Sequence, residues 1–420
     1  MDKFVIEGGV RLTGSVEING SKNAALPIIT AALLVDKGEV TLNNVPQLAD
    51  IDTILKVLEV LGAKVTRYAK EGKVVVDSEM VSNSEAPYDL VRKMRASFLV
   101  LGPLLARLGK AKVSLPGGCV LGARPVDQHL KGFQALGATL TEEHGYIIAE
   151  SKGLNGNVVC FDRPTHTGTE NVMMGAVLAN GKTTLINAAC DPEVQDLAEF
   201  LNQRGAKIAG AGTSTIEIIG VKKLKPGHYA IMPDRLEAGT LMAAAAITGG
   251  YLELRDTIPE QLSMLLNKLK EMGCEIEING KRLKLCAPKK LKPVNLITYP
   301  YPGFPTDLQP QIMAMATLAN GTSHIKETVF DSRFTHVMEF VRLGADIKTA
   351  NDEATITGVG QLKGASVMAS DIRAGAGLII ACLAAQGNSE ILRVYHIDRG
   401  YQNIEEKLSR LGAKIKRVPA

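Results

Sequence analysis

Apolar positions recur along this chain in two rhythms. One is the 3.6-residue period of a helix with a single covered face. Ile54, Val57, Leu58 and Leu61 fall at i, i+3, i+4 and i+7, and so do Val194, Leu197, Ala198 and Leu201, and Leu262, Leu265, Leu266 and Leu269. Each of these helices runs into a glycine, a small residue and a β-rich stretch. The phrase reads VLEVLGAKV, GFQALGATL, FLNQRGAKI, KLKEMGCEI, FVRLGADIK and KLSRLGAKI. Its glycines, Gly62, Gly137, Gly205, Gly273, Gly344 and Gly412, are spaced by 68 to 75 residues. Six evenly spaced echoes mark an internal repeat. Each glycine is placed to end a helix with positive φ.

The second rhythm is a helix apolar nearly all round. It is read over 24–35, 170–179, 241–249, 311–319 and 377–385, all rich in Ala and Gly. A helix hydrophobic on every side belongs in an interior. Short β-rich runs follow at 39–45, 183–189, 323–329 and 389–394. The repeat therefore reads helix, strand, helix, strand, strand. The expected fold is α/β, with helices inside, sheets outside and three repeats per domain. An open solenoid also repeats but does not need helices apolar on all sides. The domain boundary is expected near Gly227 to Pro233. Residues 4–18 alternate as strands outside the six repeats, and periodicity leaves open which half they join.

Composition narrows the function. A chain of 420 residues fits two domains of about 200 residues. Aromatic residues are 4% with no Trp, and the net charge of +4 has no basic block, which argues against nucleic acid or a membrane surface as partner. The cysteines at 119, 160, 190, 274, 286 and 382 lack CxxC spacing, so neither a disulfide framework nor zinc is expected. No signal peptide and no membrane span is read, and a cytoplasmic location is expected. The histidines, His129, His166 and His324 among them, show no ligand spacing, and no metal is expected.

The candidate chemistry lies at helix heads and in one loop. Leu115 to Pro125 reads LPGGCVLGARP and places the Cys119 thiol five residues before the Arg124 guanidinium. That setting produces a reactive thiol, or else a tight turn around a buried cysteine. Asn19-Gly20-Ser21-Lys22-Asn23 heads the first interior helix, where free N–H groups favour anions. Lys22 adds a charge there, although composition alone favours a solvated lysine. Asp234, Asp307 and Asp371 head the later helices. For two of the three a plain N-cap explains the residue; the third is a candidate general base. Arg95, Arg333, Arg373 and Arg399 are candidate oxyanion clamps.

With GSKNAALP at the start, LPGGCVLGARPVD in the middle, and Asp307 and Arg399, the chain resembles the UDP-N-acetylglucosamine 1-carboxyvinyltransferases over essentially its whole length. That resemblance implies two inside-out α/β domains of three repeats each. Residues 21–231 form the N-terminal one, residues 1–20 with 232–420 form the C-terminal one, and the active site lies in the cleft between them. It implies transfer of the enolpyruvyl group of phosphoenolpyruvate to the 3′-hydroxyl of UDP-N-acetylglucosamine (UDP-GlcNAc), with release of phosphate, at the start of peptidoglycan synthesis. No cofactor is implied, because phosphoenolpyruvate is already activated. By similarity Cys119 protonates carbon 3 and forms the phosphothioketal adduct with phosphoenolpyruvate, and Asp307 is the base at the 3′-hydroxyl. Lys22, Arg124 and Arg399 hold phosphate and carboxylate, with Arg95 and Arg373 nearby. Asn23 touches the sugar. Arg124, Pro125, Val126, Asp127 and Gln128, and a turn at Thr167-Gly168, form the nucleotide side, where Arg95 also reaches, and Val329 lines the uracil-sugar cleft. The nearest rival, 5-enolpyruvylshikimate-3-phosphate synthase, shares the repeats and the group transfer. It lacks the cysteine loop, and its acceptor needs a phosphate site not found here.

Overall fold

The computed structural model describes residues 2–92, 94–115 and 126–420. The chain folds as two compact units. One comprises Met1–Asn19 with Pro233–Ala420, the other the chain from 20 to 232 apart from the segment around 116–125.

The described residues form six four-stranded sheets, three in each unit. In the sheet of the third repeat, Val158–Cys160 runs parallel to Lys182–Ile186, which is antiparallel to Thr215–Ile219; Lys207–Ala209 flanks that strand. The same order recurs in every sheet, but three strands are supplied from elsewhere in the chain. Gly227–Ala230 leaves the third repeat and pairs in parallel with Glu39–Asn43 of the first. Thr13–Glu17 plays that part beside Tyr251–Arg255. Asp2–Glu7 sits between Asn388–Leu392 and Lys414–Pro419, with Phe4 opposite Ile391 and Arg417. In each unit the chain thus runs on from one sheet to open the next, and the first sheet takes its opening strand from elsewhere, Gly227–Ala230 in one unit and Thr13–Glu17 in the other. The two N-terminal strands complete two sheets of the second unit.

Most interior helices form where the chain is apolar nearly all round. All thirteen residues of Arg235–Ile247 are buried, and it packs with Gln309–Ala316 and Ile372–Ala384. In the other unit Lys22–Ala31, Leu101–Leu108 and His166–Ala176 take the same place. The sheets carry the amphipathic helices. On Ser263–Glu271 Leu265, Leu266 and Leu269 face inward, each burial worth about 1.5–3 kcal/mol.

All six repeat glycines have positive φ, between 88° and 103°. They differ in what surrounds them. A Cβ at Gly62 would meet the Met80 carbonyl oxygen at 2.9 Å, whereas one at Gly205 meets nothing within 4 Å. Gly205→Ala is therefore expected to cost only the left-handed backbone strain, about 1–2 kcal/mol. Gly62→Ala should cost clearly more. Urea unfolding of the two variants compares them, and equal losses would mean the carbonyl contact does not matter.

Candidate functional site

In the N-terminal unit the Ser21 hydroxyl caps Lys22–Ala31 by accepting from Ala24 N–H at 3.3 Å. Lys22 is the first residue of that helix, and its side chain is buried rather than solvated. Its Nζ stands 3.3 Å from Asp50 Oδ2, which is also buried. This pairing holds the lysine side chain in place away from water. Asn23 follows on the same first turn. Arg95 opens the 3-10 stretch Arg95–Val100 and is half-buried.

Val126 is the N-cap residue of Asp127–Ala135, which puts Asp127 and Gln128 in its first turn. Asp127 Oδ1 accepts from Arg163 Nη2 at 2.8 Å. Gln128 exchanges two hydrogen bonds with Asp162: its Nε2 donates to Oδ2 at 3.1 Å and its Oε1 accepts Asp162 N–H at 2.8 Å. Thr167 and Gly168 lie in the first turn of a helix, not in a free turn, which corrects the sequence reading. The Thr165 hydroxyl caps that helix through Gly168 N–H at 3.2 Å, so it begins at His166. A sequence-distant residue that the sequence reading gave no site role meets Thr167 here: His129 Nε2 lies 3.2 Å from Thr167 Oγ1.

His166, Asp191 and Glu193 place ligand atoms within 4.8 Å of one another, a grouping that spacing did not reveal. Burial works against the charge of His166, but Glu170, Asp191 and Glu193 outweigh it and push the pKa up to about 10. Its Nε2 is 3.0 Å from Glu170 Oε1. The protonated ring pairs with two of these carboxylates, its Nδ1 lying 3.8 Å from Asp191 Oδ1 as well.

In the C-terminal unit the three helix-head aspartates separate. Asp234 accepts from the N–H groups of Leu236 and Glu237, and Asp371 from those of Arg373 and Ala374; both are N-caps. No capping hydrogen bond to a helix N–H is seen for Asp307 among the described residues. It sits in the 3-10 turn Thr306–Leu308, with Oδ2 3.1 Å from Arg373 Nε and Oδ1 3.5 Å from Arg333 Nη2. The two arginine side chains are 5% and 1% exposed and the carboxylate 29%, so the carboxylate is the open face of this cluster. Burial opposes the charge of Arg373, yet Tyr401 and Asp307 hold its pKa above the ordinary value.

Arg333 stood among the sequence candidates only as a generic clamp. Glu327 was not foreseen. Its carboxylate is buried, accepts Val329 N–H at 2.9 Å and Phe330 N–H at 3.2 Å on Oε1, and accepts the Thr306 hydroxyl at 2.9 Å on Oε2. It ties the Asp307 turn to the Val329 loop. A glutamate at a strand end carries no sequence signal for this. Arg399 ends the 3-10 stretch Val394–Arg399 and is half-buried. Cys119, Arg124 and Pro125 lie outside the described residues.

The family model described as EPSP synthase (3-phosphoshikimate 1-carboxyvinyltransferase) matches residues 6–408. The chain is 53% identical over 418 residues to the UDP-N-acetylglucosamine 1-carboxyvinyltransferase of Desulfosudis oleivorans, with 100% of both chains covered. It is 53% identical over 421 residues to the protein of that name from Myxococcus xanthus, again with 100% of both covered. Among solved structures the enolpyruvyl transferase NikO from Streptomyces tendae superposes with a TM-score of 0.89 at 24% identity, covering 100% of this chain and 99% of that one. An EPSP synthase from Acinetobacter baumannii gives 0.77 at 19% identity, with 100% of both covered. These two likenesses establish a shared mixed α/β fold.

Proposed function

The chain belongs to the UDP-N-acetylglucosamine 1-carboxyvinyltransferases of the EPSP synthase family, and from that membership we propose that it transfers the enolpyruvyl group of phosphoenolpyruvate to the 3′-hydroxyl of UDP-GlcNAc. Each compact unit is read as an inside-out α/β barrel of three repeats, supported by interior helices such as Arg235–Ile247 that are buried on every side. The N-terminal unit supplies Lys22, Asn23, Arg95 and the helix heads at Asp127 and Thr167; the C-terminal unit supplies Asp307, Val329, Arg373 and Arg399. The reading requires both sets to reach one pair of small-molecule substrates in the cytoplasm.

What carries the reading from family to chemistry is Asp307, the one helix-head aspartate of the three for which no capping hydrogen bond is seen among the described residues and which is held instead by two buried guanidiniums. In the addition step the 3′-oxygen bonds to carbon 2 of phosphoenolpyruvate while its proton passes to Asp307. Carbon 3 takes a proton from Cys119. In the elimination step the bond from carbon 2 to the phosphate oxygen breaks, carbon 3 returns a proton to the Cys119 thiolate, the leaving phosphate takes the proton held on Asp307, and the enol ether and inorganic phosphate leave. Lys22, Arg124 and Arg399 hold the phosphate and carboxylate charges as carbon 2 becomes cation-like. No step calls for a metal or an organic cofactor.

Phosphate release from phosphoenolpyruvate is the test. It is expected with UDP-GlcNAc as acceptor and not with shikimate-3-phosphate. Release only with the latter would assign the rival activity, and release with neither would refute enolpyruvyl transfer.

A further inference from the structure

Asn171, in the His166–Ala176 helix, is fixed at both ends of its amide. Its Oδ1 accepts Gly102 N–H at 2.8 Å, and its Nδ2 donates to the Phe98 carbonyl at 3.1 Å. A backbone N–H only donates and a carbonyl only accepts, so the amide has one orientation. Position 102 has to be glycine for this: a Cβ there would stand 2.6 Å from Asn171 Oδ1. The second Nδ2 proton points to His129 Nδ1 at 3.0 Å.

That bond sets the ring. Nδ1 accepts, so the proton of the neutral imidazole is on Nε2. Burial, and then the charge of Arg95, hold the His129 pKa down at about 3, so near neutrality the ring takes no second proton. Nε2–H therefore donates to Thr167 Oγ1, 3.2 Å away. The Thr167 hydroxyl keeps its own proton and has no other partner among the described residues. Its side chain is half-buried on the first turn of a helix, beside donors left free by the helix start.

We propose that His129 is a positioning residue that fixes Thr167 as a hydrogen-bond donor to an acceptor oxygen of UDP-GlcNAc. This rests on the sugar-nucleotide reading above. A relay running from Asn171 through His129 to Thr167 gives the hydroxyl one direction and favours an oxygen that can only accept, such as one on the diphosphate or the uracil.

Two measurements test it on the full chain. Long-range proton–nitrogen spectra, with the His129 signal identified by its loss in His129→Gln, should show the neutral Nε2–H tautomer between pH 5 and 8. An Nδ1–H ring or an imidazolium at pH 7 overturns the relay whatever the substrate is. Calorimetry with UDP-GlcNAc should then show Thr167→Val binding about tenfold more weakly, the worth of one hydrogen bond, and Thr167→Ser binding as wild type. His129→Leu should weaken binding similarly, and His129→Gln, which keeps a donor near the place of Nε2, should do so less. The decisive variant is the double one. His129→Leu with Thr167→Val should bind no worse than Thr167→Val alone, because the histidine acts only through the hydroxyl. Additive losses would mean that His129 acts through packing. If wild type binds UDP-GlcNAc and Thr167→Val binds it equally well, this proposal fails and the nucleotide reading stands. If wild type does not bind UDP-GlcNAc at all, both fall.

Discussion

Asp307→Asn is expected to lower kcat by about two to four orders of magnitude, the range for removing a general base. The amide keeps the volume, but its single oxygen can accept from only one of Arg373 and Arg333 and its NH2 faces the other guanidinium, so some stability should be lost with the charge, and kcat is compared on folded protein. What it loses is the ability to take the 3′-hydroxyl proton. Asp234→Asn is the matched control. Asp234 spends its carboxylate on the N–H groups of Leu236 and Glu237, and asparagine caps a helix nearly as well as aspartate. Its turnover should stay close to that of wild type. Steady-state kinetics on both variants decides the matter. If both keep their activity, Asp307 is not the base. If both lose it alike, the distinction between cap and base drawn from the geometry is wrong.

The separation of Asp307 from the two caps shows where sequence reading stops. The six glycines and the all-round apolar helices were legible because periodicity is a local property. The second interior helix, Leu101–Leu108, was not found. It is short, contains Gly102, Pro103 and Arg107, and follows a 3-10 stretch, so it offers no unbroken apolar pattern. The strand Gly227–Ala230 lay in a stretch read only as a boundary, because its partner is the distant Glu39–Asn43. Site residues failed in the same way. Lys22 was placed at a helix head, but its burial beside Asp50 depends on a helix 28 residues on. Thr167-Gly168 was read as a turn from the family resemblance, while a single hydrogen bond, Gly168 N–H to the Thr165 hydroxyl, starts the helix there. Glu327 and the His129 relay act only through neighbours brought in by folding. Residue types and local spacing reveal candidates; which of them are caps, and which are held open, is a tertiary fact.

Cys119 should be the one cysteine labelled by fosfomycin. The resemblance to the carboxyvinyltransferases implies inactivation by this epoxide, whose phosphonate resembles the phosphate of phosphoenolpyruvate. Ring opening bonds the Cys119 sulfur to an epoxide carbon, and the released oxygen takes a proton to become a hydroxyl. The attacking species is the thiolate, so selectivity follows which thiols can ionise and be reached. Burial pushes the Cys274 and Cys382 thiols up to about 12, and burial with the nearby Asp191 raises Cys190. Those three are poor nucleophiles at neutral pH. Cys160 and Cys286 are exposed, but neither has the arginine that follows Cys119 five residues on, so neither has that cation to hold the phosphonate. Cys119→Asp should keep turnover and resist the epoxide, because a carboxylic acid still delivers a proton to carbon 3 and gives no thioether. Cys119→Ser should be nearly inactive, since a hydroxyl is far too weak an acid at neutral pH. Intact-mass measurement with peptide mapping reads the site, and turnover assays read the variants. A label on Cys160, Cys190, Cys274, Cys286 or Cys382, or an aspartate variant without activity, would remove Cys119 from the role of acid.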